Sequence, residues 1–321
     1  MNTKLSLHVN IDDLTKVRKD LCDYFEIIEA YDSSGIYKDE LNDFSSQVIF
    51  TNPNSCPIYY STEHLQKYFQ LKTIVTASTG TIHIDFSATR SLGISVISIT
   101  NEYEVLNKIT STAEHALALT LAALRKIPQS VKSVEEGKWN YQPFIGRQIN
   151  CLRFGVIGFG RLGSMYADFL KKLGGEILIH DPYKIDQIKQ KGFKHVSLLE
   201  LAKISDVISI HCHVNDETTN MINSDFIGEL KSGAIIINTA RGEIVSEYDL
   251  CNHLKTKEFF YFTDVLSSEF LGLKNNPLFN SPYFMRNIFI TPHQGGMTFD
   301  ARKLAYQRAA DLLLDHCSNL S

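Results

Sequence analysis

Three segments in the last third of the chain carry side chains suited to acid–base and anion chemistry. They are NTARGEIV with Arg241, TDVLSSE with Asp264 and Glu269, and TPHQGG with His293. A guanidinium makes planar, paired hydrogen bonds to a carboxylate and polarises an adjacent carbonyl. An imidazole moves a proton near neutral pH. A carboxylate such as Glu269 can hold the imidazole ring and favour its protonated form. Taken singly, each is an ordinary loop or turn residue. What sets them apart is that each follows a run that reads as a buried strand, namely AIIINT, FFYFTDV and NIFITPH. Open α/β sheets bind ligands at the carboxyl ends of their strands.

A fourth segment supplies a place for a nucleotide. The strand-like RFGVI runs into Gly158-Phe159-Gly160-Arg161-Leu162-Gly163 and then into a helical pattern, SMYADFLKKLGG. In this setting Gly158 makes a tight turn. Gly160 omits a Cβ so that backbone N–H groups approach a pyrophosphate, and Gly163 lets helix and strand pack closely. The helix N-terminus adds about half a positive charge. The next strand ends in Asp181, about 20 residues on, where a carboxylate accepts hydrogen bonds from a ribose diol and repels a 2′-phosphate; this favours NAD over NADP. Arg161 either touches phosphate or lies in solvent. With a nicotinamide supplying hydride, Arg241, Glu269 and His293 suffice to interconvert a 2-keto acid and a 2-hydroxy acid.

These residues need a scaffold, and the hydrophobic pattern outlines one. In the first hundred residues Leu5–Val9, Gln47–Thr51, Lys72–Ala77 and Ser95–Thr100 read as buried strands. Asp12–Tyr24 and Thr62–Phe69 read as helices, the second capped by Ser61 or Thr62. A long helix is expected over 102–126, stopped by Pro128, followed by a loop with the only tryptophan, Trp139. From Arg153 six strand candidates alternate with helices, the pattern of a doubly wound dinucleotide fold, with Gly233 as a helix C-cap. The last helix, about 299–317, is amphipathic and is expected to pack back on the first domain. The fold class is therefore α/β, with two doubly wound parallel-sheet domains, Rossmann- and flavodoxin-like, the first discontinuous. The expected division is 1–102 with 295–321 for substrate, and 103–294 for the dinucleotide.

Composition excludes several alternatives. The chain has 321 residues, 44% hydrophobic and 21% charged, an ordinary globular balance. A formal charge of −4 does not argue for a nucleic-acid surface. The longest uncharged apolar run, Ala116–Leu124, is far short of the ~20 residues that span a bilayer. The N-terminal residues turn polar too early for a secretory signal. Six scattered cysteines form no CxxC pair, so reduced thiols in a cytoplasm are expected. His211-Cys212-His213 lacks further convincing ligands, so no metal is expected. His115 reads as a helix-packing residue, and His83 as core or the border of a substrate mouth.

From about Ile74 to Thr298 the chain resembles the D-isomer-specific 2-hydroxyacid dehydrogenases, which include D-lactate, D-glycerate and D-3-phosphoglycerate dehydrogenases. The segments TASTGTIHID, STAEHALALTLAALR, VIGFGRLG with HDPY, SLLELAKISDVISIH, NTARGEIV and NPLF…ITPHQGG carry the likeness. The resemblance implies that Arg241, Glu269 and His293 are the family's catalytic triad. It implies that Asp264 contacts the nicotinamide carboxamide, and that Thr112 and Thr239 line the nicotinamide pocket. It also implies that Ser78, Thr79 and Gly80 hold the substrate carboxylate by backbone amides, and that the chain is a homodimer built on Ala113–Arg125 and the Trp139 loop. Ser267, Phe270, His213 and Ser78 depart from the family's usual residues. Two other functions fit the same scaffold. One is a non-catalytic NAD-sensing protein. The other is a formate- or phosphite-type dehydrogenase, although formate enzymes of this type place Gln opposite the histidine where this chain has Glu269.

Overall fold

The computed structural model describes residues 3–54, 58–267, 269 and 273–318. The chain forms two compact units, residues 1–109 with 297–321, and residues 110–296. The first crossing falls beyond the expected 102/103 because the helix expected over 102–126 is broken. Tyr103–Leu106 is one short helix (α4) that buries Leu106 in the first unit, with Ile109 packed against the same core. A second helix, Ser111–Leu124 (α5), then starts the other unit. The return crossing lies at 296/297, two residues past the expected 294/295.

The first unit runs β1 (Lys4–Leu7), α1 (Thr15–Cys22), β2 (Glu26–Glu29), β3 (Val48–Thr51), α2 (Thr62–Leu65), β4 (Thr73–Thr76), α3 (Phe86–Ser91) and β5 (Ser95–Ser98). Its sheet is parallel throughout, in the order β2-β1-β3-β4-β5. β2 adds a strand to the four expected: its EIIE sequence is exposed at both ends and sits on the sheet's edge, where no continuous apolar run is required. The helix expected over 62–69 is a single turn, with Ser61 Oγ accepting from the His64 amide at 3.2 Å. Strand residues alternate between faces, so that Val48 and Phe50 enter one core and Ile49 another. The C-terminal helix, Phe299–Ser318, belongs to this unit and buries Ala305, Tyr306, Ala309, Ala310 and Leu313 in the same core as Leu5 and Leu7.

The second unit continues from α5 with α6 (Ile127–Glu135). Pro128 does not simply end the preceding helix; it occupies the first turn of α6, where its missing N–H costs nothing, after Lys126 turns the chain with φ of 50°. Then follow β6 (Arg153–Ile157), α7 (Arg161–Lys172), β7 (Glu176–His180), α8 (Ile185–Gln190), β8 (Lys194–His195), α9 (Leu198–Ile204), β9 (Val207–Ile210), α10 (Ser224–Gly228), β10 (Ala234–Asn238), α11 (Glu247–His253), β11 (Phe259–Thr263) and β12 (Ile288–Ile290). The parallel sheet runs β12-β11-β10-β9-β6-β7-β8. Strand order therefore reverses between β6 and β9, the switch point of a doubly wound sheet. The two-residue edge strand β8 comes in addition to the six strands expected. Gly233 (φ 75°) turns the chain into β10 and is not the cap of α10, whose C-cap is Glu229. Both faces are buried: Ile236 packs into one core, Ile235 and Ile237 into the other.

Two histidines pack against these cores, His8 fully buried and His211 partly exposed. His8 has its Nδ1 2.7 Å from Tyr60 Oη and its Nε2 3.3 Å from Tyr68 Oη. His211 lies tilted against the Tyr166 ring, centroids 4.9 Å apart, with its Nε2 2.8 Å from Ser209 Oγ. Burial pushes both imidazoles down to about 3. The unfolded chain, with histidines near ~6.5, then binds more protons than the native state, so stability is complete above about pH 6.5 and is lost as pH falls toward 3. The urea midpoint should drop steadily from about pH 7 to about pH 5, and the His8→Gln and His211→Gln variants should each show a shallower slope. Slopes equal to that of the parent chain would contradict the buried neutral state.

Candidate active site

The glycine turn leaves β6 at the switch point. Gly158 has φ of 90°, and a Cβ there would lie 2.8 Å from the Cys212 amide nitrogen. A Cβ on Gly163 would lie 2.0 Å from the Gly158 carbonyl oxygen, so α7 can approach the strand only with glycine there. Gly160 caps α7 and faces open space, with no atom within 4 Å of a Cβ built on it. Leu162 turns its side chain into the core, leaving its backbone amide for a ligand. Arg161 is half-buried, and that burial lowers its guanidinium from the usual value. Asp181 is tied to the turn, its carboxylate accepting from the amides of Phe159 at 2.8 Å and Tyr183 at 3.0 Å.

On the other side of the switch point, the adjacent parallel strands β10, β11 and β12 deliver the remaining groups at one edge. Arg241 follows β10; its backbone carbonyl accepts from Asn238 Nδ2 at 2.9 Å, and its guanidinium donates to the Ala240 carbonyl at 2.6 Å. Burial lowers the guanidinium from its usual value, opposed by the charges of Glu269 and Glu243. Glu269, beyond β11, accepts from the Leu266 amide at 2.9 Å through Oε1, and its Oε2 lies 2.7 Å from His293 Nδ1. His293, beyond β12, has φ of 50°, a left-handed conformation that costs a non-glycine residue about 1–3 kcal/mol and persists only where its surroundings enforce it.

Asp264 is what enforces it. Its carboxylate, 2% exposed, accepts from the amides of Gln294 at 3.0 Å and Gly295 at 2.7 Å and from the Thr291 hydroxyl at 2.5 Å. Burial pushes this carboxyl up, but hydrogen bonds from His115, Thr291 and Gly295 outweigh burial and leave it below its ordinary value. His115 is therefore more than a helix-packing residue. Its Nε2 lies 3.1 Å from Thr291 Oγ1 and 3.3 Å from Asp264 Oδ1. A single sequence places His115 on a helix and gives no sign of which face meets β12, so only packing could assign it. Thr112, on the same helix, lies against Gly295 and Gly296.

The loop holding Ser78, Thr79 and Gly80 belongs to the first unit and follows β4. Ser78 Oγ donates to the Gly80 carbonyl at 2.7 Å and pairs with Thr76 Oγ1 at 2.8 Å. The Thr79 carbonyl accepts from Thr100 Oγ1 at 3.0 Å. His83 is buried with its Nε2 3.3 Å from Thr76 Oγ1, so it supports this loop from within the core and does not border an opening. Phe270 and Cys56 lie outside the described residues. Among the described residues no cluster of three or more His, Cys, Asp or Glu side chains could hold a metal, and no helix is long and apolar enough to cross a membrane.

A crossover of strand order, a glycine turn with an acidic residue after the next strand, and an acid-supported imidazole and a guanidinium following neighbouring strands of one sheet are the features expected of a dinucleotide-dependent dehydrogenase. Comparison with known proteins agrees. Residues 117–295 match the D-isomer specific 2-hydroxyacid dehydrogenase, NAD binding domain. D-3-phosphoglycerate dehydrogenase of Archaeoglobus fulgidus is 36% identical over 242 residues, 75% of this chain and 44% of that protein. Hydroxypyruvate reductase of Blautia hydrogenotrophica is 28% identical over 265 residues, 80% of this chain and 78% of that one. The crystal structure of D-lactate dehydrogenase from Aquifex aeolicus, complexed with NAD and lactic acid, superposes with a TM-score of 0.79 at 28% identity, covering 99% of this chain and 96% of that one. The chain belongs to the D-isomer specific 2-hydroxyacid dehydrogenase family. It spans less than half the length of the D-3-phosphoglycerate dehydrogenases it matches.

The residues present fit a dinucleotide. Gly160 leaves room for a pyrophosphate at the N-terminus of α7. Thr239 Oγ1, at the end of β10, is buried without a hydrogen-bond partner among the described residues. A buried hydroxyl left unpaired costs about 1–3 kcal/mol unless a ligand completes it. Thr239→Val should therefore leave the unfolding midpoint of the free protein unchanged or raise it. It should also weaken NADH binding, read by fluorescence titration, on the order of five- to tenfold. Unaltered NADH affinity would place the hydroxyl outside the cofactor site.

Proposed function

We propose that this protein is an NAD-dependent D-2-hydroxyacid dehydrogenase that interconverts a small 2-keto acid and its D-2-hydroxy acid. The observation that carries the reading is the 2.7 Å contact between Glu269 Oε2 and His293 Nδ1, beside Arg241 at the carboxyl edge of a dinucleotide-type sheet. A nicotinamide held by the glycine turn and the edge of β10 and β11 would supply or accept the hydride at the substrate's second carbon.

In the reducing direction Arg241 pairs with the substrate carboxylate and draws electron density from the adjacent carbonyl. The Ser78–Gly80 amides are proposed to bind a substrate carboxylate, a role that rests on the family resemblance and on their place after β4. His293, with Nδ1 bound to Glu269, gives a proton from Nε2 to the carbonyl oxygen as charge develops there. Glu269 keeps the ring oriented and its positive charge paired. In the oxidising direction the same imidazole takes the hydroxyl proton. Asp264, Thr112 and Thr239 serve the nicotinamide end, while Gly158, Gly160, Arg161, Leu162, Gly163 and Asp181 serve the pyrophosphate and ribose. Relatives named D-3-phosphoglycerate dehydrogenase, hydroxypyruvate reductase and D-lactate dehydrogenase bound the substrate to small 2-oxo or 2-hydroxy acids.

We further propose a homodimer, supported by the family resemblance and by the apolar side chains that α6 and the loop after it hold in solvent. These are Val131, Val134, Tyr141, Ile145 and Trp139, the last 92% exposed.

NADH oxidation should be seen with at least one of glyoxylate, hydroxypyruvate, pyruvate, 2-ketoglutarate and phosphohydroxypyruvate. His293→Ala should cut turnover on that substrate by about 10²- to 10⁴-fold while NADH still binds. Tight NADH binding with silence across the panel would favour a sensing protein, and near-normal turnover in His293→Ala would remove His293 from its role. Light scattering should give twice the mass of one chain, and Trp139→Asp should shift the population toward single chains; a monomeric parent chain would end the dimer proposal.

A further inference from the structure

One buried carboxylate takes no part in the chemistry above. Glu247, at the start of α11, is 4% exposed, and burial raises its carboxyl above the ordinary value despite three donors. A carboxylate is expensive to bury, and the cost is offset only where it is well hydrogen-bonded. Its partners all lie in the segment that carries Glu269. Oε1 accepts from the Ser267 amide at 2.8 Å; Oε2 accepts from the Ser267 hydroxyl at 2.7 Å and from Asn276 Nδ2 at 2.8 Å. Glu247 thus grips residue 267, two positions before Glu269, and residue 276, seven positions after it.

The grip is reinforced from beneath. A Cβ on Gly242 would lie 1.9 Å from the Leu266 carbonyl carbon and 2.1 Å from the Ser267 nitrogen, so the loop rests directly on the backbone that follows Arg241. Leu266 in turn donates its amide to Glu269 Oε1 at 2.9 Å. A continuous path therefore runs from Glu247 through Ser267 and Leu266 to Glu269 and on to His293 Nδ1. Asn276 is itself fixed, its Oδ1 accepting from the Leu278 amide at 2.9 Å.

We infer that Glu247 is a positioning residue for the Glu269–His293 pair, holding the loop after β11 so that Glu269 meets the imidazole. Its function is separate from folding as such: the carboxylate sets where the partner of the general acid stands. The inference rests on the dehydrogenase reading for its kinetic consequence, but its geometry can be read without turnover.

The test is Glu247→Gln, which keeps the size but presents an amide where Oε1 or Oε2 meets donors. Loss of loop placement should lower kcat on the order of 10- to 100-fold. KM and NADH affinity should stay within about twofold. The low-field proton resonance of the His293 Nδ1–Glu269 hydrogen bond should shift or vanish. Exchanging donor and acceptor in the double variant E247Q/N276D sets a carboxylate at position 276 against the side-chain amide at position 247, and should recover most of the lost kcat and the resonance. If E247Q does not fold, Ser267→Ala removes one of the three contacts and should give a smaller kcat loss with the same direction of resonance shift. A folded E247Q with unchanged kcat and unchanged resonance overturns the inference, as does a lowered Tm with unchanged kcat. If the parent chain reduces no 2-keto acid, the dehydrogenase reading fails, and the imidazole resonance alone then decides whether Glu247 sets the pair.

Discussion

A hydrogen bond of 2.7 Å between Glu269 Oε2 and His293 Nδ1 joins two loops that leave neighbouring strands, β11 and β12. Neither loop would hold that distance alone. His293 stands at φ of 50°, where a side chain is disfavoured, and Glu269 lies beyond the end of β11, outside the sheet. A contact that long side chains must keep has to exceed the entropy of ordering them, so the support around it matters as much as the pair.

Two buried carboxylates supply that support. Asp264 gathers the amides of residues 294 and 295 and the Thr291 hydroxyl, closing the turn on which His293 sits. Glu247 gathers Ser267 and Asn276 around Glu269. Hydrogen bonds to a charged group contribute about 1.5–3 kcal/mol each, enough in number to offset the backbone strain at His293. A charged clamp on one loop and a second on the next leave little freedom between the two side chains, which is the preorganisation that electrostatic stabilisation of a developing oxyanion requires.

Much of this is legible in residues alone. The glycine turn, the strands before Arg241, Asp264 and His293, and the alternation of strands with helices all follow from local chemistry and apolar periodicity. The features that leave no such trace are explained by their surroundings. β2 and β8 are edge strands whose pairing needs only a neighbour's backbone, so their sequences carry no buried run. The break between α4 and α5 falls at Asn107–Thr110, where the chain passes from one unit to the other; Asn and Thr are weak helix formers, but no Gly or Pro marks the place. Pro128 reads as a stop signal in isolation, and Lys126 in a left-handed conformation makes it a start.

Residue types settled which groups this chain has for moving a proton, pairing a carboxylate and cradling a phosphate, and their order along the strands placed them at one edge of a parallel sheet. Those are short-range facts, since a strand's direction and a glycine's freedom are written within a few residues. Tertiary structure alone decided which carboxylate meets which donor: Asp264 with the turn after β12, His115 with Thr291, and Glu247 with a loop 20 residues downstream. Such pairings depend on the close approach of distant backbone, as at Gly242 beneath Leu266, and a linear pattern holds no record of distances between segments that only packing brings together.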